Sequence, residues 1–179
     1  MKKVFVALLT VAALGVIGYA AFDDATSQPM AVAGDQLGPD PDESFSRYRE
    51  RAAASLDGAV EGENAFGLVT FARPLSAEEA AEALEGIKRV NTLILGQAAP
   101  IAIPEPVEGA SRADVIRRKF AHLSRSLGVA PDAVSAVTAW DDAAAFRQLA
   151  RDPEVAAVEV LPPDARWGNF GVRPPSPPA

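Results

Sequence analysis

The longest apolar run of the chain lies at its amino terminus, where nineteen consecutive residues from Val4 to Phe22 carry no charge. Two lysines precede the run and two aspartates follow it. At about 1.5 Å per residue, a helix of this length is roughly 28 Å long, close to the roughly 30 Å hydrocarbon thickness of a bilayer. The positive charge before the run predicts that the rest of the chain faces the outside of the cytoplasm.

Residues 1–22 have two interpretations. Gly18 and Ala20 provide the small side chains that a signal peptidase needs before Ala21, which predicts cleavage and secretion. Tyr19 and Phe22 instead keep the segment apolar to its end, which favours an uncleaved signal anchor. We expect a single-pass anchor that contacts the membrane through residues 4–22, with secretion after cleavage as the alternative.

The pattern turns polar after the apolar run. Residues 23–43 hold six acids, no bases and three prolines, so they are predicted to form an acidic linker. Apolar residues then recur at helical spacing over residues 44–57, with Asp42 as the predicted N-cap. This stripe consists of Phe45, Tyr48, Ala52 and Leu56. The helix is expected to lean on the following domain or to lead out from the membrane.

A strand–helix–strand pattern opens a predicted domain over residues 64–163. Residues 66–72 are rich in strand-forming side chains. The predicted strand ends at Arg73 and Pro74, because proline has no backbone N–H to donate to a neighbouring strand. Ser76 and Glu79 form a capping box that begins a helix, and residues 90–95 read as the next strand.

The same pattern returns over residues 133–161. A strand over residues 133–140 precedes a short helix capped by Asp141 or Asp142, and residues 154–161 form the last strand. Two such units predict an α+β domain of the ferredoxin-like split βαβ type, with a four-stranded antiparallel sheet and two helices on one face. The other face of the sheet is expected to be solvated.

Two further segments complete the pattern. The proline-rich residues 96–110 are predicted to form a loop, and Ser111 begins an inserted helix over residues 111–127 with one apolar stripe. After Leu161 the chain becomes proline-rich, so residues 164–179 are predicted to be an extended, open tail.

Composition excludes several classes of function. Without the first 22 residues, the chain carries 15 basic and 24 acidic residues, a formal charge of −9, so nucleic acid is not an expected partner. The absence of cysteine excludes disulfides, thiol nucleophiles, thiolate metal sites and a cysteine-linked lipid anchor. His122 is the only histidine and is predicted to be a solvated surface residue. We predict no catalytic residue, no metal site and no cofactor.

Two groups of residues are candidates for contacting a partner. Five cations lie on the inserted helix, and Arg118 and Arg125 among them could contact anionic headgroups or an acidic protein. In the tail, Arg166, Trp167 and Phe170 stand between glycines and prolines. Trp167 either folds back onto the domain as a cap, or the segment is an exposed peptide that docks into the groove of a partner.

A family resemblance lies in residues 133–161, which contain Val137, Thr138 and Ala139, then Phe146 and Leu149, then the run RDPEVAAVE from Arg151 to Glu159. A helix that ends in such a D-P-x-V-x-x-V-E turn and strand resembles the closing half of subtilisin propeptides and the related peptidase-inhibitor family. Similar turns occur in other extracytoplasmic domains, including that of the FtsX cell-division protein. The resemblance implies a ferredoxin-like fold and, for the propeptides, a tail that enters a protease cleft.

Three hypotheses of function follow. The first is a membrane-tethered, extracytoplasmic, non-enzymatic domain that binds another envelope protein. The second is a module similar to protease inhibitors or propeptides, and the third is an enzyme with an unrecognised site.

Overall fold

The computed structural model describes residues 34–127 and 131–176, which form seven strands and four helices. In chain order the elements are β1 (Gln36–Leu37), α1 (Phe45–Asp57), β2 (Asn64–Leu75), α2 (Ala77–Ala83), β3 (Arg89–Ile94), β4 (Ile101–Ala102), α3 (Arg112–Leu127), β5 (Val134–Asp142), α4 (Ala143–Leu149), β6 (Val155–Val160) and β7 (Gly171–Val172). The predicted α+β class is confirmed.

One five-stranded antiparallel sheet organises the domain, with the strand order β4-β3-β5-β2-β6. Each predicted strand–helix–strand unit is present, as β2–α2–β3 and as β5–α4–β6. The fifth strand, β4, comes from residues that were predicted to be a loop, and it pairs with β3 at the edge of the sheet. A second, two-stranded sheet joins β1 and β7 in parallel.

Strand β2 is longer than the sequence predicts. Its pairing with β5 shifts register between Thr70 and Leu75, and Leu75 pairs again with Val134. The expected stop at Arg73 and Pro74 is therefore wrong, because an irregularity in the ladder accommodates a proline without ending the strand.

Helices α2, α3 and α4 cover what we call the helical face of the sheet. The core there includes Phe71, Leu84, Ile116 and Phe146, all fully buried. The predicted caps are confirmed: the Ser76–Glu79 capping box begins α2, and Asp142 accepts a hydrogen bond from Ala145 N at 2.9 Å to begin α4. Ser111 and Asp114 make reciprocal backbone hydrogen bonds at the start of α3.

The opposite face of the sheet is covered rather than solvated, contrary to expectation. Helix α1 packs on it through Tyr48 and Ala52, beside Leu68 of β2 and Ala157 of β6. The N-cap of α1 is Ser44, whose side chain accepts from Arg47 N, and not the predicted Asp42. Helix α1 therefore leans on the domain, because its apolar stripe meets the apolar positions of this face.

The two segments predicted to be open also pack. Leu37, within the predicted linker 23–43, is fully buried, and Gly171 N donates to Asp35 O at 3.0 Å. A Cβ at Gly38 would lie 2.0 Å from Arg173 O, so the two backbones approach closely. Within the predicted tail, residues 164–176 fold back onto the domain through β7 and Phe170. The prolines of the tail do not prevent packing, because the residues that pair with β1 are Gly171 and Val172.

The predicted signal anchor, residues 1–22, lies outside the described residues. Between residues 34 and 176, the helices that the structure describes include none with the length and hydropathy to cross a membrane.

Candidate binding site

A cleft of about 390 Å³ opens on the opposite face of the sheet, near the edge formed by β3 and β4. We call it the aromatic cleft. It is lined by Phe66, Arg89, Asn91, Ala102, Ile103, Trp140 and Trp167. Both tryptophans of the chain are therefore part of one concave surface.

Register in the sheet brings three of these residues together. Phe66 of β2 lies directly opposite Trp140 of β5, and Trp140 lies opposite Arg89 of β3 on its other side. Cross-strand partners have Cβ atoms about 4.5–5.5 Å apart on the same face of a sheet. Three strands thus place an aromatic pair and a guanidinium in one row.

The C-terminal segment supplies the remaining aromatic wall. The ring centroid of Trp167 lies 5.7 Å from that of Phe66 and 5.8 Å from that of Phe170, and the Phe66 and Phe170 centroids are 5.1 Å apart. A turn in which Asn169 N donates to Arg166 O at 3.0 Å presents these rings. Of the two predicted fates of Trp167, the structure has the folded-back one.

Trp167 nevertheless stays available to a ligand, since 51% of its surface is exposed. Phe170 is half-buried against the domain, whereas Arg166 is exposed. The structure brings Trp167 and Phe170 together but includes no contact of Arg166 with the cleft. A partner-binding role for these three residues stays a prediction.

A buried polar atom lies at the cleft. Asn91 is only 8% exposed, and its Oδ1 has no hydrogen-bond partner among the described residues. A buried acceptor without a partner costs about 1–3 kcal/mol. Oδ1 is closed to solvent, so a ligand in the cleft could donate a hydrogen bond to it only after neighbouring side chains move.

Arg89 adds a positive charge to the same lining. It is exposed and makes no ion pair within residues 34–127 and 131–176, although seven other described cations do. In a chain with a formal charge of −7, a guanidinium left free beside aromatic rings favours an anionic ligand group.

Prolines flank the edge strand beside the cleft. Ile103 N donates to Asn91 O at 3.0 Å, and Ala102 pairs with Thr92. Because backbone hydrogen-bonding groups alternate in direction along an antiparallel strand, those of Ile101 and Ile103 point towards β3. The outward-facing positions are therefore Pro100, Ala102 and Pro104. Since proline has no backbone N–H, this edge offers little for another strand to pair with.

The predicted basic group on α3 is divided by the fold. Arg112 donates to Ile87 O at 2.8 Å, and Arg117 pairs with Glu78 and Asp114. Arg118 and Arg125 are exposed and form no ion pair with another described residue. They share the surface of α3 and do not line the aromatic cleft.

A buried carboxylate fixes the N-terminal strand beside this face. Glu159 of β6 accepts from Gly38 N at 2.6 Å and pairs with Arg51 of α1, which also binds Glu43 at 2.9 Å. Burial raises the pKa of Glu159, while the hydrogen bond from Gly38 and the guanidinium of Arg51 oppose the rise. Glu159 is therefore a structural anchor for β1 rather than part of the cleft.

Other candidate chemistry is sparse in the described part of the chain. His122 is exposed on α3, as the sequence predicts. Residues 34–127 and 131–176 contain no group of three or more His, Asp or Glu side chains placed to hold a metal ion.

Six residues of the cleft were missed by sequence reasoning, and four of them are aromatic or polar: Phe66, Arg89, Asn91 and Trp140. Asn91 could have been singled out in the sequence, because an asparagine inside the predicted buried strand VNTLIL is unusual. Phe66 and Trp140 could not, since each follows the ordinary alternation of a strand and only the register makes them neighbours.

No protein-family model, no curated protein and no solved structure matches the chain.

Proposed function

We propose that this protein is an exported, membrane-tethered and non-enzymatic domain that binds another protein of the cell envelope through the aromatic cleft. The observation that carries the proposal is a cleft that holds both tryptophans beside Arg89, which forms no ion pair with another described residue. Aromatic side chains around a few polar groups are characteristic of binding sites.

The proposal includes a ferredoxin-like fold. The strand order β3-β5-β2-β6, with a helix after β2 and a helix after β5, supports it. Strand β4 and helix α3 are then an insertion between the two halves, and α1 is an addition on the opposite face. The uncharged run from Val4 to Phe22 supports export and tethering.

The alternative of a protease inhibitor similar to propeptides is less well supported. Such a module inserts a free C-terminal segment into a protease, whereas here residues 171–172 pair with β1 and Trp167 contacts Phe66. Among the described residues, no cluster of titratable groups lines the aromatic cleft to favour an enzyme.

Site-specific photocrosslinking in living cells tests the proposal. A photoreactive amino acid at Ala102, exposed at the cleft, should yield a discrete adduct with a protein of the envelope fraction. The matched control is Ala144, exposed on α4 at the helical face, which should not yield that adduct. Equal adducts from both positions, or recovery of the protein from the cytosol alone, would contradict the proposal.

A further inference from the structure

We infer that the aromatic cleft captures the free carboxyl terminus of a partner polypeptide whose last side chain is apolar. This inference rests on the proposed protein-binding function and names the part of the partner that is bound.

The charge of the cleft calls for a carboxylate. Arg89 is the cation in its lining, is exposed, and forms no ion pair with any described residue. A guanidinium presents parallel N–H donors that match a carboxylate in a bidentate arrangement. No acidic side chain lines the cleft to compete for Arg89.

The buried acceptor calls for a donor close to that carboxylate. Arg89 and Asn91 are two residues apart on β3, a separation of about 6.6 Å along a strand. The last residue of a polypeptide carries a backbone N–H and a terminal carboxylate on the same Cα. One such residue reaches the flexible Arg89 side chain with its carboxylate and donates to Asn91 Oδ1 once the side chains that close over this atom move aside.

The walls select an apolar side chain. Phe66, Trp140 and Trp167 present rings to the cleft, and Trp167 is half exposed without a ligand. Burying an aliphatic side chain between such rings contributes about 25 cal/mol per Å² of apolar surface removed from water. An aliphatic last residue would gain from this burial, whereas a charged one would not.

Access to the cleft favours a chain end over an internal segment. Pro100 and Pro104 remove backbone donors from the outward side of the edge strand, so a long strand cannot extend the sheet there. A volume of about 390 Å³ also lies near the lower end of the roughly 300–1,000 Å³ of ligand pockets. Both features fit one or two terminal residues.

Tryptophan fluorescence of the full chain in detergent micelles tests the inference, since both tryptophans line the cleft. The probes are N-acetyl-Ala-Ala-Leu as the free acid and as the carboxamide. We expect the acid to give a saturable change in emission and the amide to bind at least about tenfold more weakly, because charge-assisted hydrogen bonds are about twice as strong as neutral ones.

Arg89→Gln should weaken binding of the acid at least about tenfold and make acid and amide nearly equal. Arg151→Gln, which removes an exposed cation from the turn after α4, should leave the affinity for the acid unchanged. Arg89 is exposed, so its replacement is not expected to impair folding.

The donor to Asn91 is tested by methylating the last amide nitrogen of the free-acid probe. The methylated acid should bind the native chain several-fold more weakly than the parent acid, because Asn91 Oδ1 loses its donor. In Asn91→Leu the two acids should bind alike. The peptide comparison on the native chain stands even where the Asn91→Leu chain does not fold.

Several outcomes overturn the inference. Equal binding of the acid and the amide would do so, as would an unchanged affinity of Arg89→Gln for the acid. So would a fluorescence response to an internal proline-rich peptide that is as strong as the response to the acid. A response to a chito-oligosaccharide in place of the acid, or no response to any probe, would also overturn it. If the photocrosslink at Ala102 persists under such an outcome, the protein-binding function stands and the carboxyl-terminal mode alone is wrong. Loss of both results contradicts both proposals.

Discussion

At the scale of single residues, Gly67 shows how closely α4 packs on the helical face of the sheet. A Cβ built at this position would lie 2.9 Å from the Phe146 ring and 3.0 Å from the backbone oxygen of Glu159. Gly67 lies inside β2, where glycine is otherwise unfavourable. The lack of a side chain here lets α4 approach the sheet directly beneath the strand that carries Phe66.

Gly67→Ala is therefore expected to destabilise the protein by about 1–3 kcal/mol, the usual effect of overpacking. Urea unfolding monitored by tryptophan fluorescence would measure the change. Gly58→Ala is the matched control, because its Cβ meets only Ala54 O and Ser55 O at ordinary distances of 3.5 and 3.8 Å. Similar stabilities of the two variants would show that the helix does not pack this closely.

At the scale of elements, α1 and β1 are held to the sheet by the pair of Arg51 and Glu159. Glu159 is buried, whereas Arg51 is partly exposed and also donates to Gly38 O at 2.9 Å. Removing one member of a buried pair leaves an uncompensated charge, which is more costly than removing both.

Arg51→Met should lower the free energy of unfolding by about 1–3 kcal/mol, less than for a fully buried pair because Arg51 is partly solvated. Glu159→Gln keeps an acceptor for Gly38 N and removes the charge. The double variant should therefore be more stable than Arg51→Met alone, as measured in a double-mutant cycle. Additive losses would contradict the assigned coupling.

The same elements show what sequence reasoning can reach. The units β2–α2–β3 and β5–α4–β6 were predictable, because alternation, the Ser76 capping box and the Asp142 cap are local signals. Strands β1 and β7 were not, since each has two residues and forms only by pairing with a segment more than a hundred residues away. The covering of the opposite face was predictable only as one of two fates of α1, because the sequence shows the apolar stripe of the helix but not the surface that it meets.

At the scale of the whole molecule, the candidate site is assembled from distant parts of the chain. Trp167 could be singled out in the sequence as a side chain that would pack or bind. Its neighbours Phe66 and Trp140 come from other strands, and Arg89 and Asn91 become partners of the same cleft only through the order of the sheet. The chemistry of the residues was visible in the sequence, but their proximity was not.

Acid should destabilise the whole molecule. Hydrogen bonds from Arg73 and the Ser76 cap lower the pKa of Glu79 from 4.5 to about 2. Such a group contributes stability that is present above its unfolded pKa and is lost as the pH falls towards its folded pKa. Hydrogen bonds lower the pKa of three further carboxylates in the same direction: Glu43, Asp114 and Asp142.

The raised pKa of Glu159 acts in the opposite sense, since its folded form binds a proton more readily than the unfolded chain does. The four lowered groups outnumber it, so the melting temperature should fall as the pH is lowered from about 5 to 2. Thermal unfolding followed by circular dichroism would measure this fall, and Glu79→Gln should make it shallower. A melting temperature that rises over this range would contradict the assigned ion pairs.

Protein binding through the aromatic cleft is tested by the yield of the Ala102 adduct in cells when Trp167 is varied. Trp167→Ala removes a ring that lines the cleft, whereas Trp167→Phe retains an aromatic wall against Phe66. We expect the envelope adduct to be strongly reduced in the alanine variant and largely kept in the phenylalanine variant, at equal amounts of folded protein. An adduct of undiminished yield in Trp167→Ala would contradict protein binding through the aromatic cleft.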